Sequence, residues 1–246
     1  MTWRSRIFFD LSGAALVLAV ASAAWPGKAA EVSGAVQIRD SRAGTAAKRK
    51  DYSGAVISLN PPGQPPPPAP ARHAVMEQRN KTFTPHVLPV LAGTTIDFPN
   101  FDPIFHNAFS RFSGQIFDVG LYPPGTTRSV RFGRTGAVRV FCNIHSDMTA
   151  VILVLSTPYF AVTARDGTFR LDVPPGTYDL NVFLERATDE TLEGLTRRVV
   201  VTPEGLKLPA IPISEAGYLL APHKNKYGQD YGPPPDDKVL YPGARK

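Results

Sequence analysis

Apolar and polar residues alternate along this chain in short runs, several of them bounded by proline or glycine. Val32 to Ile38 and Tyr52 to Leu59 alternate, as do Thr94 to Phe98 and Thr127 to Phe132. A period of two puts successive side chains on opposite faces, so each run predicts a strand. Gly136 opens a further strand, Ala137 to Phe141, and Ala150 to Leu155 is a continuous apolar one. Between them, Asn60 to Pro70 (NPPGQPPPPAP) lacks the backbone donors of a central strand and predicts an extended surface loop. From Thr157 the spacing changes. Phe160 to Thr163 leads to Asp166-Gly167, a hairpin signal, and Phe169 to Val173 alternates up to the turn Pro174-Pro175-Gly176. Tyr178 to Leu184, Arg197 to Val201 and Leu206 to Ile213 supply more strands. The expected architecture is all-β, with one sandwich over residues 31–156 and a smaller antiparallel sandwich over 157–215. The remainder, 216–246, is polar and proline-rich and is expected to wrap the surface or stay mobile.

The first residues read differently. Arg4 and Arg6 precede the apolar run Leu11 to Val20, and small residues follow to Ala24. This is the order of a secretory signal peptide over 1–24. Cleavage fits after Ala21-Ser22-Ala23 and also as late as Ala30; retention as an anchor is the competing reading. The run is short for a membrane span and soon meets Pro26 and Gly27, so no stable span is expected after cleavage.

Composition adds little that is specific. Over 246 residues, 43% are hydrophobic and 20% charged, enough for a real core, and the net charge of +6 is mild. Lys48-Arg49-Lys50 is the densest basic run but has no interleaved aromatics, so a solvated loop is expected and nucleic acid is not a partner.

Cysteine usage changes the picture. Cys142 is the only cysteine. An exported chain cannot staple itself with one thiol, and a free thiol in an oxidising compartment is an oxidation liability unless a metal holds it. The run Phe141-Cys142-Asn143-Ile144-His145-Ser146-Asp147-Met148 places a histidine three residues after the cysteine and a methionine three beyond, with His106 upstream. Two imidazoles, a thiolate and a thioether are the ligand set of a mononuclear type 1 (blue) copper site. A short loop between two strands would let Cys142, His145 and Met148 converge. The other histidines receive blander readings: His73 and His223 as solvated, His86 as a surface or hydrogen-bonded residue. A catalytic copper enzyme would need a second, histidine-rich site. The five histidines include no H-x-H pair, so no enzyme is expected.

The stretches DFPNFDPIFHNAFS, LYPPGTTRSVRFGRTG and VRVFCNIHSDM resemble the cupredoxin family, in particular plastocyanin-like periplasmic proteins of the methylamine-utilisation type. The resemblance covers about residues 83–155 and implies a Greek-key β-sandwich. It also implies His106, Cys142 and His145 as equatorial copper ligands, Met148 as the axial one, and Asn107 as a residue bonding near the sulfur and steadying the loop. Plastocyanins place four residues between the last histidine and the methionine; here there are two, which leaves core packing as the other reading of Met148. DGTFRLDVPPGTYDLNVFLER resembles the carboxypeptidase regulatory-like sandwich, which implies a fold without peptidase activity. The expected function is a periplasmic one-electron carrier exchanging with a protein such as a cytochrome or dehydrogenase. The alternative is a copper-binding structural or accessory protein docked on a larger envelope complex. The electron port would be the His145 edge beside Ile144, with Phe101, Pro103 and Ile104 adding apolar surface.

Overall fold

The computed structural model describes residues 28–41, 51–111, 114–219 and 222–233. The expected signal segment and the Lys48-Arg49-Lys50 run lie outside them. The fold is all-β, with one short helix among the described residues, Asp189–Leu195, capped by the Thr188 hydroxyl. No helix among the described residues is long and apolar enough to cross a membrane.

The strands form two sandwiches with separate cores. In the first, Thr149–Leu155 pairs antiparallel with Gly136–Phe141 and parallel with Val87–Leu91. Gly136–Phe141 in turn pairs with Phe109–Ser110, and that strand with Phe117–Asp118. The facing sheet is Thr127–Phe132, Thr94–Pro99 and Ala74–Val75. Alternation decides which side chains meet: Ile96 and Phe98 from one sheet, Val138, Val140, Ala150, Ile152 and Val154 from the other, close one core. Val151 and Leu153, which point the opposite way, are buried too, which is why this strand reads as an unbroken apolar run.

The second sandwich begins earlier than the alternation suggested. Ala30–Arg39 pairs with Thr168–Val173, and Val56–Asn60 lies between Phe160–Val162 and Gly176–Phe183. Ala30–Arg39 and Val56–Asn60 therefore belong with the strands after 157, and the sandwich that carries Cys142, expected to start at residue 31, is inserted within the other. The physical reason is that period-two patterning marks a strand's faces but not its sheet. Pairing here is mostly antiparallel, but Ala30–Arg39 runs parallel to Leu206–Lys207 and Ile211–Ser214.

Asp166-Gly167 does form a tight turn: Gly167 N–H donates to Ala164 O at 2.8 Å and Ala164 N–H to Thr168 O at 2.9 Å. The strands on either side nevertheless enter opposite sheets. Val36 N–H bonds Gly167 O at 2.9 Å, drawing the outgoing strand onto Ala30–Arg39. Gly167 has φ +84°, and a Cβ there would lie 2.3 Å from Val36 O, so only glycine fits. The proline tract after Asn60 carries no strand and is exposed, as expected of a connector between the sandwiches.

Candidate metal centre

Strand pairing brings the candidate ligands together. Gly136–Phe141 and Thr149–Leu155 are in register from Gly136 opposite Val154 to Phe141 opposite Thr149, so the loop 142–148 closes one end of that pair. Cys142 N–H donates to Met148 O at 3.1 Å and Met148 N–H to His145 O at 3.2 Å, folding the loop back on itself. Phe141 also pairs with Phe109, which carries the segment of His106 and Asn107 to the same end. His106 is fixed by reciprocal backbone bonds with Tyr122, at 3.2 and 2.9 Å. The Tyr122 hydroxyl is itself buried, donating to Phe98 O at 2.9 Å and accepting from Gln78 Nε2.

The sulfur of Cys142 lies 3.8 Å from His106 Nδ1 and 3.7 Å from His145 Nδ1. The two rings are 4.9 Å apart and tilted by 57°. The three donor atoms lie within 4.8 Å of one another, and all three residues are buried. A metal with bonds of about 2.0 Å to nitrogen and about 2.3 Å to sulfur, at roughly 120°, needs nitrogen and sulfur about 3.7 Å apart. The residues present fit such an ion. Met148 is 1% exposed and packs in the same cluster as Cys142.

Electrostatics keeps the nitrogens available. Burial pushes His145 down to about 4, helped by the nearby His106 and Lys81. His106 is also lowered by burial, against the pull of the Asp102 carboxylate. Both imidazoles are therefore neutral near pH 7 and can ligate. Burial raises the Cys142 thiol, while backbone N–H groups of Ile144, Asn107 and His145 at the sulfur oppose it. Without a cation the thiol is the favoured form; a bound cation would convert it to thiolate.

Two carboxylates beside the centre, Asp102 and Asp118, had no role in the sequence reading. Asp102 accepts from His106 Nε2 at 2.8 Å, which leaves Nδ1 facing the sulfur. Burial works against ionisation of Asp102, but hydrogen bonds from Lys81 N–H, the His106 ring and Asn80 N–H outweigh it and hold its pKa down. The Asn107 side chain donates to Asp118 at 2.7 Å, while its backbone N–H meets the sulfur. Asp102 lies four positions before His106, a spacing visible in DPIFH once the pairing is known.

The larger surprise is the tail. Residues 222–233 do not float; they grip the ligand loop. His223, expected to be solvated, stacks on Phe141 at 4.1 Å and its Nε2 donates to Ser146 O at 2.7 Å. Tyr231 donates to Cys142 O at 2.8 Å. Lys226 N–H meets Asn143 Oδ1 at 2.9 Å, its ammonium meets Asp118 at 2.9 Å, and Arg111 donates to its carbonyl. Tyr231 and Gly232 wall a cavity of about 200 Å³ whose other lining includes Lys81, Ile144, His145 and Met148. His145 is only 8% exposed and Ile144 partly buried; Ile104 is buried and Phe101 is 49% exposed. Nothing local in the tail's sequence announces these contacts, because their partners lie some 80 residues upstream, as in the 77-residue separation of His223 and Ser146.

The remaining histidines are apart from the centre. His73 Nδ1 pairs with Asp97 at 3.0 Å. His86 bonds Thr149 O at 3.0 Å through Nδ1 and Glu185 at 2.6 Å through Nε2, joining the two sandwiches.

No family model matches this sequence, nor does any curated protein. Among solved structures, the chain is similar to a purple cupredoxin from Nitrosopumilus maritimus, at 21% identity over 33% of this chain and 99% of that one, with a TM-score of 0.32. It is similar to a copper-containing nitrite reductase from Thermus scotoductus at 22% identity, over 37% of this chain and a quarter (25%) of that one, with a TM-score of 0.33. A reduced Cu(I) form of an amicyanin mutant matches at 16% identity over 40% of this chain and 98% of that one, TM-score 0.33.

Proposed function

We propose that this chain is a cupredoxin-type copper protein that takes up and releases single electrons in the periplasm. One observation carries the reading: a thiol sulfur and two imidazole Nδ1 atoms, all buried, converge at 3.7 and 3.8 Å on one point. Soft sulfur with two imidazoles suits copper in either oxidation state, and bound copper would supply reversible one-electron redox chemistry. His106, Cys142 and His145 would hold it, and the buried Met148 thioether would add a weak fourth donor. The protein's part is to keep this geometry rigid, since any ligand rearrangement between oxidation states slows electron transfer. Strands on both sides of the loop, the Asp102 bond to His106 and the tail's hold on Cys142, Asn143 and Ser146 all serve that end. Asn107 steadies the site through its N–H to the sulfur and its bond to Asp118. The chain is a carrier and not a catalyst. Its partner is another redox protein, a cytochrome or dehydrogenase, met at the His145 edge beside Ile144. The second sandwich is of the carboxypeptidase regulatory-like kind and serves as a scaffold.

A second reading has its own support. The tail walls the cavity at His145 and narrows the approach, as expected of an accessory copper protein held in a complex. Copper loading separates the two. The purified chain given Cu(II) should bind one copper and turn intensely coloured through charge transfer from the Cys142 sulfur. Cys142→Ser should stay colourless. Reversible one-electron reduction supports the carrier; copper that binds but does not cycle supports the accessory role. A wild type that stays colourless with Cu(II) overturns the type 1 assignment. Zinc fits the same ligands, so the metal must be supplied as Cu(II).

A further inference from the structure

We infer that Asp102 is a positioning residue for the metal centre, holding His106 in its ligating tautomer while its negative charge favours the more oxidised metal; this rests on the copper reading above. The carboxylate is 8% exposed and the His106 side chain 0%. It accepts three N–H groups: His106 Nε2 at 2.8 Å, Asn80 N at 2.6 Å and Lys81 N at 2.8 Å. Asn80 and Lys81 form the turn between the strands Glu77–Arg79 and Thr82–Thr84, and both are left-handed, with φ of 54° and 56°. Two consecutive left-handed residues turn both amides toward one anion. The carboxylate is pinned from its own side as well: Asp102 N–H bonds Asn100 Oδ1 at 3.0 Å, and Phe101 N–H bonds Gln78 O at 2.9 Å.

This arrangement requires a carboxylate. An ionised carboxylate is acceptor-only, whereas an asparagine would turn an NH₂ toward one of the three donors. The result is a fixed negative charge separated from the metal by one imidazole ring. Such a charge makes the ligand nitrogen more basic, and in buried surroundings salt screens it poorly. Lys81 lines the cavity beside His145, so a cation and an anion both stand close enough to act on the two imidazoles, in opposite senses. Removing either charge should move the reduction potential, in opposite directions.

The test uses the full chain loaded with copper. Asp102→Asn should keep one copper per chain and its visible band. Its preference for Cu(I) should rise about tenfold, equivalent to a potential higher by about 59 mV for one electron. Lys81→Asn, which retains a residue tolerant of the left-handed turn, should lower the potential. In the Cu(I) wild type, His106 should show a slowly exchanging Nε2 proton by NMR. An Asp102→Asn protein with bound copper and unchanged potential overturns the charge argument. Should that variant not fold, a His106 Nε2 proton exchanging as fast as that of exposed His73, or an unmoved potential in Lys81→Asn, overturns it instead. A wild type that takes no copper removes the copper reading itself and this inference with it.

Discussion

Deleting the tail is the most informative perturbation of this molecule. A chain ending at Leu219 loses the Tyr231 bond to Cys142 O, the His223 bond to Ser146 O, the Lys226 bond to Asn143 and the stack of His223 on Phe141. The tail is largely exposed, so each hydrogen bond is taken at the low end, about 0.5 kcal/mol. The stack adds about 0.5 kcal/mol, and the exposed ion pair between Lys226 and Asp118 adds nothing dependable. The tail thus holds the loop closed by about 2 kcal/mol, roughly thirtyfold in an opening equilibrium. Two measurements read this directly. Native-state hydrogen exchange of the Ile144 and Met148 amides should quicken by about that factor, because local opening limits exchange. Copper removal from the loaded protein by a chelator should quicken in step. Tyr231→Phe, which loses one bond, should show only about a two- to fivefold change. Exchange and release within twofold of wild type in the truncated chain would refute the reasoning and reduce the tail to a passive wrapping.

Three further outcomes are expected. His86 faces a carbonyl through Nδ1 and a carboxylate through Nε2, so the doubly protonated ring satisfies both; hydrogen bonding to Glu185 raises its pKa above 6.5 despite burial. A raised folded-state pKa contributes stability in full below 6.5 that fades as pH rises through the folded value, so His86→Gln should cost more at pH 6 than at pH 9 in denaturant titrations. Met148→Leu should keep the colour and raise the potential, because loss of a weak sulfur donor favours Cu(I); an unchanged spectrum and potential would make Met148 packing alone. Ile144→Lys should slow electron exchange with the redox partner in stopped flow while leaving colour and potential nearly intact, and a wild-type rate would exclude that face as the port.

Much of this protein is written locally. Alternation in Thr94–Pro99, Thr168–Val173 and Gly176–Phe183 is enough to place strands and their buried faces, because a period of two is a property of the backbone itself. The loop Cys142–Met148 likewise announces its donors, since spacing of three along a short loop needs no distant contact to be recognised. Sheet membership is different. Ala30–Arg39 and Val56–Asn60 look the same whether they join the sandwich that follows or the one beyond it, and only side-chain packing across both cores selects the second. The residues around the metal centre divide in the same way. His106 could be proposed from its neighbour Asn107, but Asp102, Tyr122, His223 and Tyr231 acquire their roles from hydrogen bonds that exist only when the chain is folded. A ligand is identified by the chemistry of its own atoms, which sequence records. The groups that orient a ligand are identified by where they stand, and in a β-sandwich that is settled by pairing between strands far apart in the chain.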